Sequence, residues 1–461
     1  MHKPDAVATA GSAAADARAA PDRAVAQLAA APAVPPAPPV RFVLAGHVLF
    51  IILYSTLFAN TGWLIPMLVR LNFGSSDLAW RDWQTTLVTA ALPTLMVLTI
   101  FWNELLRRMR LRDYLLLFWV TAAFPLACMA LARNYWELFA CHLVATAGVA
   151  SFSPVHGRLL KHFYSDARRG RAYAIINAVG LASGLGAAWA VGSWLEADPT
   201  AFRWYLPSAA LVQLAGVVLL IRLAHASRIP DEPDPRRLSW RSALEPVVHM
   251  GALLKSDRTF MRYERAFMTY GAAFMLCDSL LPVLATTRLG MSYEDYAHST
   301  QVVLKLVMLA ITLPTGWLND RYGPVRTSGL AFAVLVFYPL GLLAAGSAAG
   351  LAGASVIYGI GLAGVMMGWM LGPVALAGSP EKVPQYVAIH ATLVGVRGVI
   401  FQGLGMLLYK LTGGFTCPLL LAAAAFAWAA WQMSRLHGEV RSAIAAAHVP
   451  LAPLADPESA D

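Results

Sequence analysis

Long apolar segments alternate with short polar ones along most of the chain. Between about residues 42 and 434, twelve stretches of about twenty residues carry few or no charges. A stretch of this kind crosses the hydrocarbon core of a bilayer as an α-helix, because lipid cannot hydrogen-bond to an exposed backbone. The pattern therefore predicts an all-α membrane protein with twelve transmembrane helices.

The predicted spans group into two sets of six. In chain order they cover residues 42–68, 84–104, 114–132, 137–160, 172–195, 203–223, 261–287, 298–318, 327–346, 352–378, 386–410 and 416–434. Prolines and charges between residues 230 and 237 forbid a membrane helix between the sets. We therefore expect two six-helix bundles, at 41–223 and 261–434. A cytoplasmic linker at 224–260, with a surface helix near Trp240–Leu254, joins them.

Both ends of the chain are polar. Residues 1–40 are rich in Ala and Pro and contain no apolar segment of signal-peptide length, so they predict a disordered tail. Residues 435–461 form a second polar tail. The four cysteines lie inside apolar segments without the spacing of a metal or redox motif, so no cofactor or metal is expected.

The net charge of +9 is distributed unevenly across the predicted membrane. With the N-terminus inside, most of the 35 Lys and Arg residues fall on the cytoplasmic side. The opposite side holds Arg70, Arg81, Arg133, Arg203, Arg288 and Lys410. Basic residues beside membrane helices stay cytoplasmic, so the charge does not indicate nucleic-acid binding. We expect a cell (inner) membrane protein with both termini in the cytoplasm.

The two predicted bundles repeat each other in sequence. Tyr173, Asn177 and Ala178 open the fifth span, and Tyr386, His390 and Ala391 open the eleventh with the same spacing. Pro66 and Pro282 both lie near the outer end of the first span of their bundle. These matches predict a duplicated unit whose copies are related by a pseudo-twofold axis along the membrane normal.

One loop carries a family signature. Residues 316–326 read GWLNDRYGPVR between spans eight and nine, which resembles the G-x-L-x-D-R-x-G-x-x-R loop of the major facilitator superfamily. The resemblance covers about residues 41–434 and implies that fold and secondary transport. It assigns a gating role to Gly316, Asp320, Arg321, Gly323 and Arg326. The glycines permit a tight turn, and Asp320 can pair with a basic residue or a helix N-terminus.

Ionisable and amide side chains are concentrated in a subset of the spans. Such groups are costly in lipid and normally face a cavity or a partner. They occur on the spans that line the central pathway in the family that the chain resembles. The candidate substrate-binding residues are Arg397, Lys305, Asp278, Asn60, His390, Gln402 and His142.

Depth along the helices orders the three charged candidates. At about 1.5 Å per residue, Asp278 lies about 13 Å and Lys305 about 10 Å below the outer surface, so the two can pair. Such a pair is either structural or functional, and a functional pair is either a substrate contact or a protonation switch. Arg397 falls near the midplane, where a guanidinium binds a carboxylate or phosphate or is held by a backbone carbonyl.

Together these features predict a secondary transporter rather than an enzyme. The chain has no phosphate-binding G-x-x-x-x-G-K-[ST] loop. We expect a monomer that moves a small anionic or zwitterionic solute by alternating access, with Asp278 or a histidine carrying a coupling proton. The alternatives are an exporter of hydrophobic compounds, a non-transporting sensor, and a membrane-embedded enzyme using His156 with Asp166.

Overall fold

The protein is described by a computed structural model covering residues 38–229, 233, 240–377 and 382–447. Within these ranges the chain forms helices and contains no strand. We number the helices α1 Val40–Phe73, α2 Leu78–Arg108, α3 Leu111–Leu131, α4 Tyr135–Phe163, α5 Asp166–Ala197, α6 Phe202–Ala226, α7 Trp240–Ser256, α8 Arg258–Arg288, α9 Tyr293–Ala344, α10 Ala348–Leu376, α11 Val383–Thr412 and α12 Thr416–Ala447.

Eleven helices in the described ranges are long and apolar enough to cross a membrane. The helix α9 has 52 residues and would measure about 78 Å if it were straight, more than twice the thickness of the hydrocarbon core. It is broken at Gly323, whose φ of 76° lies in the left-handed region that glycine adopts without penalty. Its two parts correspond to predicted spans eight and nine, and the predicted all-α membrane fold is confirmed.

The helix α7 does not qualify as a membrane span and occupies the predicted linker. It begins at the expected Trp240 and ends at Ser256, slightly beyond the expected Leu254. We call helices α1–α6 the N-half and helices α8–α12 the C-half.

The helices α1 and α8 share a local irregularity. Each contains a proline near its predicted outer end, Pro66 in α1 and Pro282 in α8. A π-helical turn follows in each, Val69–Phe73 after the first proline and Leu284–Arg288 after the second. Proline removes one backbone hydrogen bond and crowds the preceding turn, which favours such a departure from α-helical geometry. The predicted correspondence of the two prolines therefore extends to backbone structure.

Helices of the two halves pack closely at mid-membrane depth. A β-carbon on Gly398 of α11 would lie 2.8 Å from Cβ of Pro93 in α2. Closer to the outer side, a β-carbon on Gly192 of α5 would lie 2.7 Å from Cβ of Ala297 in α9. Small residues at these crossings let the backbones approach each other. The contacts enclose the space described next.

Candidate functional site

A cavity of about 580 Å³ lies between the N-half and α8. Its lining residues come from α1, α2, α3 and α4 on one side and from Phe274, Met275 and Asp278 on the other. This volume falls in the range that accommodates a small organic molecule. The cavity is therefore the candidate binding site for a solute.

Aromatic rings form much of the cavity surface. The ring of Tyr54 stacks on both Phe58 and Phe152, each with centroids 4.6 Å apart. Polar groups on the lining are few: the hydroxyls of Tyr54, Thr61, Thr89, Thr146 and Ser153, together with His142 and Asp278. No Lys or Arg is among the described lining residues. The lining suits a solute with an apolar body and a small number of polar groups.

Asp278 is the carboxylate of the cavity. Its Oδ2 accepts a hydrogen bond of 2.9 Å from the side-chain amide of Gln402 on α11. Gln402 is fully buried, and its amide also lies 3.4 Å from the sulfur of Met275. In the described part of the chain no cation pairs with Asp278. Two predicted site residues are thus in contact, and Gln402 fixes the orientation of the carboxylate.

Lys305 of α9, like Asp278, is hydrogen-bonded to the side chain of a glutamine. Its Nζ donates a 2.9 Å hydrogen bond to Oε1 of Gln301, one helical turn earlier. The stem of Lys305 crosses to the N-half, where its Cε would lie 3.2 Å from a β-carbon on Gly184 of α5. Among the described residues, no carboxylate lies within ion-pair distance of Lys305. The sequence permitted a pair with Asp278, but in this conformation the two charges are not paired.

His142 reaches the cavity from α4. Its Nε2 lies 3.0 Å from the carbonyl oxygen of Val88 on α2. Because a carbonyl only accepts, Nε2 carries the proton and Nδ1 is left as an acceptor. That Nδ1 is buried and has no hydrogen-bond partner within the described structure. His142 can therefore accept a hydrogen bond from a molecule in the cavity.

Arg397 is enclosed between α8 and α11 and is not among the cavity-lining residues. Its Nη1 donates a 2.8 Å hydrogen bond to the carbonyl of Phe267, and the side chain is 5% exposed. A β-carbon on Gly271 would lie only 2.2 Å from the guanidinium. Gly271 leaves room for the guanidinium to lie against the backbone of α8, and the predicted role of Arg397 in binding a solute stays a prediction.

His390 also lies on the α8–α11 interface, nearer the predicted cytoplasmic end. Its Nδ1 is 2.9 Å from Oε1 of Glu264, and both side chains are almost fully buried. The rings of Phe267 and Trp369 surround the imidazole at centroid distances of 5.0 and 5.7 Å. The two residues form an isolated acid–base pair outside the cavity lining.

Asn60 makes its hydrogen bonds within the N-half. Its Nδ2 donates to the hydroxyl of Tyr205 on α6 at 2.7 Å, and its Oδ1 accepts from Nε1 of Trp63 at 2.9 Å. The side chain is fully buried and is not among the residues that line the cavity. Its amide therefore joins α1 to α6, and its predicted role in binding a solute stays a prediction.

A charged cluster on the predicted outer side joins the halves and was not predicted from the sequence. Asp82 of α2 forms ion pairs with Arg70 of α1 and with Lys410 of α11. Nε of Arg70 also donates a 2.7 Å hydrogen bond to Thr286 of α8. The side chains of Arg70 and Asp82 are 2% and 3% exposed. We call Arg70, Asp82, Thr286 and Lys410 the outer cluster. The only sign of it in the sequence was the acidic Asp82 next to the basic Arg81.

Comparison with known proteins decides the family. The family model described as Major Facilitator Superfamily matches residues 47–402. The chain belongs to the major facilitator superfamily. Among curated proteins, no sequence match was found. As a member of this superfamily, the chain is a multi-pass membrane transporter.

Solved structures of the same fold superpose on most of the chain. A POT family transporter in complex with 5-aminolevulinic acid has a TM-score of 0.66 at 14% identity, covering 86% of this chain and 96% of that one. The human organic anion transporter TETRAN has a TM-score of 0.61 at 16% identity, covering 86% and 98%. FucP in the outward conformation gives 0.56 at 14% identity, again covering 86% and 98%. These structural similarities show that the chain has the same fold as these transporters.

The superfamily loop, residues 316–326 between the two parts of α9, makes few contacts in this conformation. Asp320 is exposed and forms no ion pair with the residues described. The guanidinium of Arg326 lies 4.2 Å above the ring of Tyr322, and that of Arg321 lies 5.4 Å from the ring of Trp317. Gly316 has no neighbour within 4 Å of a β-carbon position. The predicted pairing of Asp320 is therefore not made in this state.

His156, the residue proposed for the enzyme alternative, packs among aromatic rings of the facilitator. Its imidazole stacks on Phe152 at a centroid distance of 5.0 Å and meets His47 edge-on at 5.4 Å. The side chain of Asp166 lies outside the described residues. In the described structure the packing of His156 accounts for its position.

Proposed function

We propose that this facilitator carries a small zwitterionic solute with an apolar body, by alternating access and together with a proton. The observation that carries the proposal is the pair of unmatched charges at mid-membrane depth. Asp278 is held by Gln402 and Lys305 by Gln301, and neither is neutralised by an ion pair in the described structure. A zwitterion supplies an ammonium for Asp278 of the cavity lining. Its carboxylate binds Lys305, which is outside that lining in this conformation, when the halves move relative to each other.

Electrostatics favours this assignment over a neutral solute. Removing an ion from water costs several kcal/mol in a protein after relaxation. A counter-charge at 4 Å recovers about 4 kcal/mol when the effective dielectric constant is about 20. A solute that matches both charges is therefore stabilised far more than one that matches neither. A side-chain amide stabilises each ion less than a counter-charge does, so both ions remain available to a solute.

The cavity lining supports an apolar body between the two charged ends. Tyr54, Phe58 and Phe152 present stacked rings, and Phe274 faces them from α8. The POT family neighbour binds 5-aminolevulinic acid, and TETRAN is an organic anion transporter. The carboxylate of Asp278 on the cavity lining favours the zwitterionic class over a purely anionic one, because Asp278 repels a second negative charge.

The outer cluster supports alternating access. It links α1 and α2 to α8 and α11 on the predicted outer side, and in the proposed cycle these contacts hold that side closed. Opening to that side requires Lys410 to leave Asp82. On the opposite side, Asp320 forms no ion pair with any described residue. In alternating access, the contacts on one side are broken while those on the other side are made.

The Glu264–His390 pair is the proposed carrier of the coupling proton. A buried carboxylate–imidazole pair is neutral when it holds one proton and negative when it does not, so its charge changes with each transport cycle. It lies on α8 and α11, the two helices that hold Asp278 and Gln402. A proton bound there can therefore alter the α8–α11 interface. The same interface orients the carboxylate of Asp278 through Gln402.

Export of a hydrophobic compound is the second candidate function, favoured by the apolar lining of the cavity. In that case Asp278 serves proton coupling alone and Lys305 has no solute contact. Thermal stabilisation of the purified protein distinguishes the two. Libraries of zwitterions, anions, cations and neutral hydrophobic compounds are compared at equal concentration. Stabilisation by zwitterions above all other classes supports the proposal; a response to neutral hydrophobic compounds alone overturns it.

A further inference from the structure

A second cavity lies far from the central one, where α3 begins and α6 ends. Its volume is about 670 Å³. Five cationic or basic side chains line it: Arg110, Arg112, Arg222, His225 and Arg228. Leu111 and Ile229 are buried at 4% and 8% exposure and form an apolar floor. We call this cavity the basic pocket.

Three arginines of the basic pocket have no acidic partner among the described residues. Arg110, Arg112 and Arg222 are exposed and form no ion pair with any described residue. No Asp or Glu is among the described lining residues. The positive side chains therefore lie close together around a hollow, an arrangement that is unfavourable unless an anion or solvent screens them.

The backbone at the end of α6 directs one more arginine to the pocket. Arg228 has a φ of 52°, the only positive value for a non-glycine residue in the described ranges. The N–H of Ile229 donates to the carbonyl of Ala224 at 3.2 Å, which closes the helix in the manner usually completed by glycine. An arginine thus occupies a backbone position that favours glycine. Such positions are concentrated at functional sites.

The neighbourhood of the pocket on α3 and α6 bears on which anion it can bind. The helices α3 and α6 expose apolar side chains, including Val120 and Phe124 at 50% and Val218 at 38%, so both face lipid. Val120 lies about 12 Å along the helix from Arg112, which places the arginines at the edge of the hydrocarbon core. The pocket is on the side predicted to be cytoplasmic, at the depth of phospholipid headgroups.

We propose that the basic pocket binds the phosphate headgroup of an anionic phospholipid, whose acyl chains run along the exposed faces of α3 and α6. Arginine forks bind phosphate oxygens with paired hydrogen bonds. Basic pockets between membrane helices on the cytoplasmic side bind acidic headgroups through the same contacts. The pocket lies in the N-half, outside the central cavity, and the inference does not depend on the proposed solute.

Lipid titration of the full-length protein tests the proposal. The protein in detergent is titrated with phosphatidylglycerol or phosphatidylcholine, and bound lipid is counted by native mass spectrometry. Arg112→Gln/Arg222→Gln is expected to lower phosphatidylglycerol affinity about thirtyfold and to leave phosphatidylcholine unchanged. The control Arg435→Gln/Arg441→Gln removes the same charge from exposed positions of α12 and should change affinity less than about twofold.

Three outcomes would overturn the proposal: no loss in the pocket variant, an equal loss in the control, or displacement of the lipid by inorganic phosphate at the same concentration. The last result would assign the pocket to soluble phosphorylated molecules. Thermal unfolding in phosphatidylcholine checks that the double variant folds as the wild type does. If it does not fold, the single variant Arg222→Gln should still lower phosphatidylglycerol affinity about fivefold.

Discussion

Arg70 donates a 2.7 Å hydrogen bond to Thr286, a residue 216 positions further along the chain. Pro66 and Pro282 are separated by the same interval, so Arg70 and Thr286 occupy equivalent positions of the repeat. Equivalent residues related by a twofold axis contact each other only when they lie close to that axis. The outer cluster is therefore centred near the pseudo-symmetry axis. Its chemistry is asymmetric, because the N-half supplies the arginine and the C-half a threonine.

Breaking the outer cluster is expected to open the outer side. Lys410→Gln removes a charged hydrogen bond to Asp82, which in the proposed cycle is made only when that side is closed. Loss of about 1.5 kcal/mol in one state changes the equilibrium about tenfold. A cysteine at Thr61, which lines the cavity, should then react about tenfold faster with a membrane-impermeant thiol reagent added outside.

A charge-matched variant controls for the change in surface potential. Arg133→Gln removes a positive charge from the predicted outer side at an exposed position that is not part of the cluster. It should leave the labelling rate at Thr61→Cys unchanged. Equal acceleration by both variants would mean that the Lys410–Asp82 contact does not hold the outer side closed.

Gly271→Ala is expected to destabilise the protein although alanine is the better helix former. The new β-carbon would overlap the Arg397 guanidinium and remove its hydrogen bond to Phe267, a net cost of about 2 kcal/mol. Gly186→Ala on α5 is the control, because no atom lies within 4 Å of its β-carbon position. Thermal unfolding should show a lower midpoint for Gly271→Ala alone. Identical midpoints would indicate that Arg397 is free to move.

His390→Gln is expected to uncouple transport from the proton while leaving solute movement intact. The glutamine can hydrogen-bond to Glu264 but cannot accept a proton. In proteoliposomes, accumulation driven by a pH gradient should fall more than about tenfold, whereas exchange of labelled for unlabelled solute continues. His162→Gln, at an exposed histidine of α4, should retain both activities. If His390→Gln accumulates solute normally, the proton is carried elsewhere.

Much of the fold was predictable because the bilayer imposes strong rules on sequence. Span length, the position of basic residues and the paired prolines at Pro66 and Pro282 each follow from physics that acts locally. The break of α9 at Gly323 also followed from the spacing of the superfamily loop. Asp278 and Lys305 were found because ionisable groups are rare in membrane spans.

The direction in which polar side chains point was not predictable in the same way. Asn60 turns to Tyr205 and Arg397 to the carbonyl of Phe267, and both choices depend on partners far away in sequence. Asp82 was missed because it lies near the start of a helix, where a carboxylate is ordinary. Its burial arises only when Lys410, 328 residues later, comes to lie beside it.

The central claim is that Asp278 and Lys305 each bind one charge of the solute. Its most direct test is the selectivity between matched solutes. A zwitterion identified by the stabilisation screen is compared with its N-acetyl and methyl ester forms, which keep one charge each. Binding to wild type, Asp278→Asn and Lys305→Gln is measured by calorimetry. Wild type should prefer the zwitterion over both derivatives. Asp278→Asn should lose its preference over the N-acetyl form, and Lys305→Gln its preference over the ester. Unchanged preferences in both variants would contradict the claim.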